Sequence, residues 1–193
     1  MNRERGLRGV NSYARELGFD PLTRLTAGDA WLDLCCGSGR ALIEASGDPR
    51  ARDLHITGVD LVDFFVPAVR SAGLDLIAAD VVTWSPPRAY DLITCVHGLH
   101  YVGDKLGLLA RIASWLTPAG RFVADLDPVQ IDAPGPVTSE LRRAGFEFDT
   151  ARRRIALRGG RDIAFPYTYL GADDTTGPNY TGQPAVRSYY TQA

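Results

Sequence analysis

The sequence predicts an α/β protein: a doubly wound, mostly parallel seven-stranded sheet that ends in an antiparallel strand pair. Three observations carry that prediction. Short apolar runs alternate with helix-compatible stretches through the first two-thirds of the 193 residues, the pattern of βαβ units whose sheet is covered on both faces. Hydrophobic residues at 45% and charged residues at 23% match an ordinary globular domain. After Asp127 the alternation gives way to one short helix and two β-compatible runs around a Gly-Gly pair, a hairpin signal.

Residues 30–35, 54–59, 74–79, 90–96 and 121–126 are apolar runs of buried-strand length. Residues 38–46, 64–72 and 104–116 read as the intervening helices. The last is the best formed: Asp104 is a good N-cap, and Leu106, Leu109, Ala113 and Leu116 recur at spacings of three and four on one face. Thr117-Pro118-Ala119-Gly120 then makes a turn. Residues 137–144 form a short helix stopped by Gly145. The runs 146–157 and 162–170, joined at Gly159-Gly160, are expected to pair as the closing hairpin.

Composition excludes several classes. The chain has 21 basic and 23 acidic residues, a poor surface for displacing counterions, so nucleic acid is not an expected partner. The apolar-leaning run 92–103 is too short to cross a bilayer and carries two histidines, so no membrane is expected either. The charged start has no apolar stretch behind it. The cysteines Cys35, Cys36 and Cys95 are odd in number, and two are adjacent, which fits reduced thiols in a cytoplasm better than a disulfide framework. Twenty of the 21 basic residues are arginine, a bias that suggests GC-rich bacterial codon usage.

The stretch Trp31-Leu32-Asp33-Leu34-Cys35-Cys36-Gly37-Ser38-Gly39-Arg40 carries the chemistry. A buried strand runs into a tight glycine turn and then a helix, which lets backbone approach a nucleotide-like ligand. A dinucleotide site would put a third glycine at Leu42, and Asp33 would repel a pyrophosphate; a walled-in carboxylate suits a sulfonium or ammonium instead. Asp60 ends the second strand, where a carboxylate accepts from ribose hydroxyls. Asp80 ends the third, able to accept from an exocyclic amine. Three acceptors therefore line the carboxyl edge, where open α/β sheets bind ligands.

Here the chain resembles the class I S-adenosylmethionine-dependent methyltransferases of small-molecule type, whose fold is Rossmann-like. Their first motif is acidic-x-Gly-x-Gly-x-Gly; this sequence reads Asp33-Leu34-Cys35-Cys36-Gly37-Ser38-Gly39, with Cys35 in place of the first glycine. Residues 90–101 resemble the family's fourth strand and following loop, and residues 116–122 its Leu-x-Pro-Gly-Gly turn and fifth strand. The resemblance spans roughly residues 27–170. It implies one methyltransferase domain, with 1–26 as a helical lid, 27–170 as the cofactor-binding core and 171–193 as a C-terminal tail. It implies S-adenosyl-L-methionine as cofactor, held by Asp33, Cys35, Gly37, Gly39, Asp60, Leu61, Asp80, Val81 and the backbone near Cys95, with Tyr13 on a helix over it.

A chain barely longer than the core, without an inserted recognition domain, points to a small-molecule acceptor of bacterial specialised metabolism. A cofactor-binding module without transfer, and an enzyme using the cofactor for other chemistry such as cyclisation, remain alternatives. His97 and His100 follow the fourth strand, where a neutral imidazole is able to take a proton from a hydroxyl. His100 is favoured as base because it matches the family's recurring histidine, with His97 second. Asp125 and Asp127 end the fifth strand, but the partner carboxylate of a metal site is replaced by Cys95-Val96-His97, so no metal is expected. Ser85-Pro86-Pro87-Arg88 reads as a proline-stiffened turn. The seven arginines between 142 and 161 read as a solvated face. Five of the eight tyrosines fall in the last twenty-seven residues, and disordered segments are poor in aromatics, so residues 174–190 are expected to be ordered and to border the acceptor pocket.

Overall fold

A computed structural model describes residues 5–66, 72–178, 182 and 184–193. In chain order the elements are α1 (Tyr13–Leu17), β1 (Ala30–Leu34), α2 (Arg40–Ser46), β2 (His55–Asp60), β3 (Leu74–Ala78), β4 (Tyr90–Cys95), α3 (Lys105–Trp115), β5 (Leu116–Asp125), β6 (Ile131–Asp132), α4 (Val137–Arg143), β7 (Glu147–Asp149), β8 (Arg154–Arg158), β9 (Tyr167–Asp173) and β10 (Arg187–Gln192). The helix expected over 64–72 falls largely on residues 67–71, which lie outside the described residues. Among the described residues no helix is long and apolar enough to cross a membrane.

Seven strands form one sheet in the order β3-β2-β1-β4-β5-β8-β7. The first five are parallel, and β8 runs antiparallel to both β5 and β7. Alternation along β1 explains how the sheet is sealed on both faces. Ala30, Leu32 and Leu34 join the apolar cluster that includes Leu106, Leu109 and Ile112 of α3. Trp31 belongs to the opposite cluster with Tyr13, Leu17 and Leu42. The α3 prediction follows from its cap, since the Asp104 carboxylate accepts from the Gly107 N–H at 2.9 Å. β5 starts earlier than its apolar run, at Leu116, with a register shift opposite Tyr90–Leu92 that absorbs the Thr117–Gly120 turn.

The closing hairpin differs from the one predicted. β7 and β8 pair through a turn at 150–153, with Arg153 at φ 49°, and 162–166 adds no strand to the main sheet. The Gly-Gly pair serves another purpose. Gly159 and Gly160 donate to the carbonyls of Gly120 and Thr117 at 2.8 and 2.9 Å, and a Cβ on Gly160 would fall 2.1 Å from the Leu116 carbonyl oxygen. The glycines permit close approach to β5 where a hairpin turn was expected.

β9 leaves the main sheet for a second one, ordered β6-β10-β9. The expected boundary at 170 thus falls inside β9. Lys105, wholly buried at the start of α3, pins β10 in place by donating to the Val102 and Val186 carbonyls (2.8 and 2.6 Å) and to Ser188 Oγ (3.1 Å). Burial lowers this ammonium to about 8. Tyr190 Oη donates to Asp104 and accepts from the Leu106 N–H. Within the stretch 174–190, residues 179–181 and 183 lie outside the described residues.

Candidate functional site

β1 delivers Asp33 into the interior, on the same face as Trp31. The side chain is fully buried and lies at the centre of a hydrogen-bond chain. Trp31 Nε1 donates to Thr94 Oγ1 (2.9 Å), Thr94 Oγ1 donates to Asp33 Oδ1 (2.5 Å), and Tyr13 Oη donates to Asp33 Oδ2 (2.8 Å). Burial raises the Asp33 carboxyl to about 7 despite these donors. Burial and the adjacent carboxylate push the Tyr13 phenol up, so it stays a neutral donor.

The chain then turns through Cys35 (φ 56°), Gly37 (φ 60°) and Gly39 (φ 72°) into α2. The left-handed backbone at Cys35 is glycine's territory, which is why the resembling motif puts glycine there; a side chain costs on the order of 1 kcal/mol. The turn packs tightly against the loop after β4, since a Cβ on Gly98 would lie 2.4 Å from Cys35 Cβ and 2.7 Å from Cys95 Sγ. Asp60 ends β2 beside the turn and accepts from the Gly37 N–H at 2.7 Å. Asp80, exposed after the edge strand β3, accepts from the Val82 N–H at 2.9 Å.

A cavity of about 550 Å³ opens along this edge, walled by Cys35, Asp60, Leu61, Asp80, Val81 and His97 among others, within the range of small-ligand sites. A smaller lobe of about 200 Å³ includes Tyr13, Cys36, Gly37 and Ser38, and shares Arg5, Cys35, Val62 and Val96 with the first. Apolar and aromatic side chains stand at the rim beside the exposed Asp80: Leu61, Val62, Tyr101 and Tyr169 line the larger lobe and are all exposed. Tyr169 comes from β9, so the second sheet reaches the cavity through a residue just before the 174–190 stretch expected there.

Of the sequence-predicted site residues, Asp33, Gly39 and Cys95 stand behind these walls. Asp33 and Cys95 are wholly buried, and Gly39 caps α2 against Leu76. The hydrogen bond with Cys35, and then burial, push Cys95 up, so its sulfur stays protonated. His100, the residue the sequence ranks first as base, stands apart from the cavity lining. It is buried, and burial lowers its imidazole to about 4.

His97 does line the cavity. Its backbone is left-handed, φ 58°, and its N–H donates to Asp125 Oδ2 at 3.2 Å. Its buried Nε2 lies 3.4 Å from Glu16 Oε2 and 3.7 Å from Asp125 Oδ2. The His97 contact holds Glu16 below the usual carboxylate range, whereas burial raises Asp125. Sequence reasoning missed Glu16 and Thr94, and considered Asp125 only for a metal. Glu16 had one usable signal, its i,i+3 spacing from Tyr13, which places both on one helix face.

The family described as Methyltransferase domain matches residues 10–158, most of this chain. The chain belongs to the methyltransferase domain family. Among curated relatives, this methyltransferase-family chain is 26% identical over 155 residues to the trans-aconitate 2-methyltransferase of Mycobacterium marinum, covering 79% of this chain and 58% of that protein. It is 25% identical over 144 residues to the 27-O-demethylrifamycin SV methyltransferase of Amycolatopsis mediterranei, covering 70% and 48% respectively. The chain spans about half the length of these two relatives. The solved structure of the N-methyltransferase NodS from Bradyrhizobium japonicum, in complex with S-adenosyl-L-homocysteine, shares the fold with a TM-score of 0.51 at 17% identity, covering 76% of this chain and 86% of that one.

Proposed function

We propose that this chain binds S-adenosyl-L-methionine along the carboxyl edge of its main sheet and transfers the methyl group to a small-molecule acceptor. The observation that carries this reading is the two-lobed cavity running from the glycine turn past Asp60 to Asp80. The residues fit the cofactor. Leu61 and Val81 offer apolar faces to a base, Asp80 accepts from its exocyclic amine, and Asp60 retains lone pairs for ribose hydroxyls beside its Gly37 bond. The smaller lobe takes the methionine end, with Cys35, Gly37 and Gly39 keeping the backbone close and Asp33, behind Tyr13, supplying a negative field; the Cys95 backbone supports the floor. Bound, the cofactor supplies an activated methyl on a sulfonium, and the rate comes from holding the acceptor in line with it.

The acceptor side is the loop after β4. His97 faces the cavity and takes the base role ahead of His100. The exposed rim residues Tyr101, Val62 and Tyr169 favour an acceptor with some apolar or aromatic surface, and the relative named for 27-O-demethylrifamycin SV supports one from bacterial specialised metabolism. The −2 net charge argues against nucleic acid as acceptor. Calorimetry against S-adenosylmethionine and NAD tests the cofactor: tight NAD binding without a response to S-adenosylmethionine would overturn the reading. Incubation with methyl-labelled cofactor and cell extract, followed by mass spectrometry, tests the transfer. Tight binding with no labelled product would leave a cofactor-binding module.

A further inference from the structure

We propose that Glu16 and Asp125 are positioning residues that hold His97 as its Nε2–H tautomer, leaving Nδ1 as the basic nitrogen and fitting the site to acceptors that must lose a proton, such as hydroxyls and phenols. This rests on the methyltransferase reading above. The geometry is one-sided. Nε2 is buried and makes no hydrogen bond among the described residues, and two carboxylate oxygens lie 3.4 and 3.7 Å from it. Ionised carboxylates only accept, so a lone pair on that nitrogen meets repulsion from both, whereas a proton there is attracted by both. The backbone supports the same pose, because the His97 N–H donates to the oxygen of Asp125 that faces the ring.

The charged surroundings favour a proton over a metal ion at this cluster. The three ligand-type atoms lie within 4.8 Å of one another, a spacing that a divalent cation also tolerates. However, Arg5 Nε stands 3.7 Å from Glu16 Oε1, and the Arg154 guanidinium donates to the Glu16 backbone carbonyl and adds its field at Asp125. These cations already offset the carboxylates and repel another. Arg15 adds its field at Glu16, and the His100 ring is 6.0 Å from that of His97 between centroids. Glu16 shares α1 with Tyr13, so a single five-residue helix bonds to Asp33 behind the smaller lobe and faces the His97 ring at the larger one.

In the step this serves, the acceptor O–H breaks and its proton goes to Nδ1. The oxygen's electron pair forms the bond to the methyl carbon, and the methyl–sulfur bond breaks with its pair left on sulfur. The imidazolium so formed is stabilised by the same two carboxylates, the arrangement in which a third group orients a base.

The test needs no acceptor. In full-length protein labelled with ¹⁵N-histidine, long-range ¹⁵N–¹H correlations distinguish the tautomers of all three histidines, assigned by single His→Gln variants. His97 is expected as the Nε2–H form at neutral pH, shifting to a mixture with the Nδ1–H form in the Glu16→Ala, Asp125→Asn double variant. Glu16 is half-exposed, so Glu16→Ala alone, with a partial shift, carries the test if the double variant does not fold. An Nδ1–H tautomer in the unaltered protein, or no change in the variants, overturns the assignment. So does stoichiometric Zn²⁺ uptake by chelator-treated protein that Glu16→Ala abolishes, which would make the cluster a cation site. Calorimetry with S-adenosylmethionine on the same samples separates the two levels. An intact Nε2–H tautomer without cofactor binding overturns the methyltransferase reading and the base role with it, while the tautomer assignment stands.

Discussion

Asp33 and Asp80 stand at the same edge of the same sheet, each just where a parallel strand gives way to a turn. Asp33 lies in β1, flanked by β2 and β4 and covered by α1 through Tyr13. Water does not reach it, and its carboxyl sits at about 7. Asp80 follows β3, the outermost strand, and is exposed; it caps its own turn through the Val82 N–H. The same residue type at equivalent points of the βα repeat is therefore two different groups. In the middle of the sheet a carboxylate's ionisation is costly and responds to ligand charge, whereas at the edge water screens it.

Four outcomes would break or sharpen that contrast. The largest effect is expected where the central turn is tightest. Gly98→Val forces carbon into space that Cys35 Cβ and Cys95 Sγ occupy, and should destabilise the fold by about 3 kcal/mol, read as a lowered Tm with lost cofactor binding. An unchanged Tm would mean that the central edge yields more easily than its packing implies. Asp60→Ala, one strand from the centre, removes a charged acceptor and should cost about 2 kcal/mol, roughly thirtyfold in cofactor Kd. Its Gly37 bond is lost too, so the calorimetry should be paired with a thermal melt to separate affinity from stability.

The third outcome is pH-dependent. In the free protein Asp33 holds its proton below about 7, and a cationic ligand favours the ionised form. Cofactor binding must then expel that proton, so affinity should rise by up to about tenfold per pH unit toward 7 and level off above it. Asp33→Asn should flatten the profile. The stability of the free protein carries the opposite sign. The folded value lies above the unfolded 3.8, so this group's contribution is fully present below pH 3.8 and is lost as pH rises through about 7. A thermal-melt series on the wild type and Asp33→Asn separates that contribution. The smallest effect belongs to the edge: Asp80→Ala should weaken the cofactor by less than about 1 kcal/mol, no more than about fivefold, because water screens the group it removes. A loss as large as that of Asp60→Ala would erase the distinction between centre and edge.

Much of this edge was legible in the sequence. Strands ending near Asp33, Asp60 and Asp80, the glycine turn between β1 and α2, and the Asp104 cap of α3 all follow from patterns within a few residues of one another. Gly159-Gly160 marks where such reading failed. A Gly-Gly pair between β-compatible runs permits either a hairpin turn or close backbone contact, and only the packing against Leu116 and Thr117 selects the second. His100 and His97 were ranked by motif position, yet the short 3-10 turn at Leu99–Tyr101 buries one and the left-handed backbone at residue 97 keeps the other at the cavity wall.

The sequence by itself determined the alternation of strand and helix, the carboxylates of the sheet edge and the family resemblance. Each is a local pattern of apolar spacing, caps and glycines, which the chain expresses without reference to distant residues. The tertiary structure decided which carboxylate is sealed from water, which histidine faces the cavity, and that Glu16 of α1 and Asp125 of β5 converge on His97. It also decided that β9 and β10 pair in a separate sheet that carries Tyr169 to the rim. These depend on contacts between segments far apart in the chain, and burial, which sets a group's charge and its partners, is a property of the assembled packing.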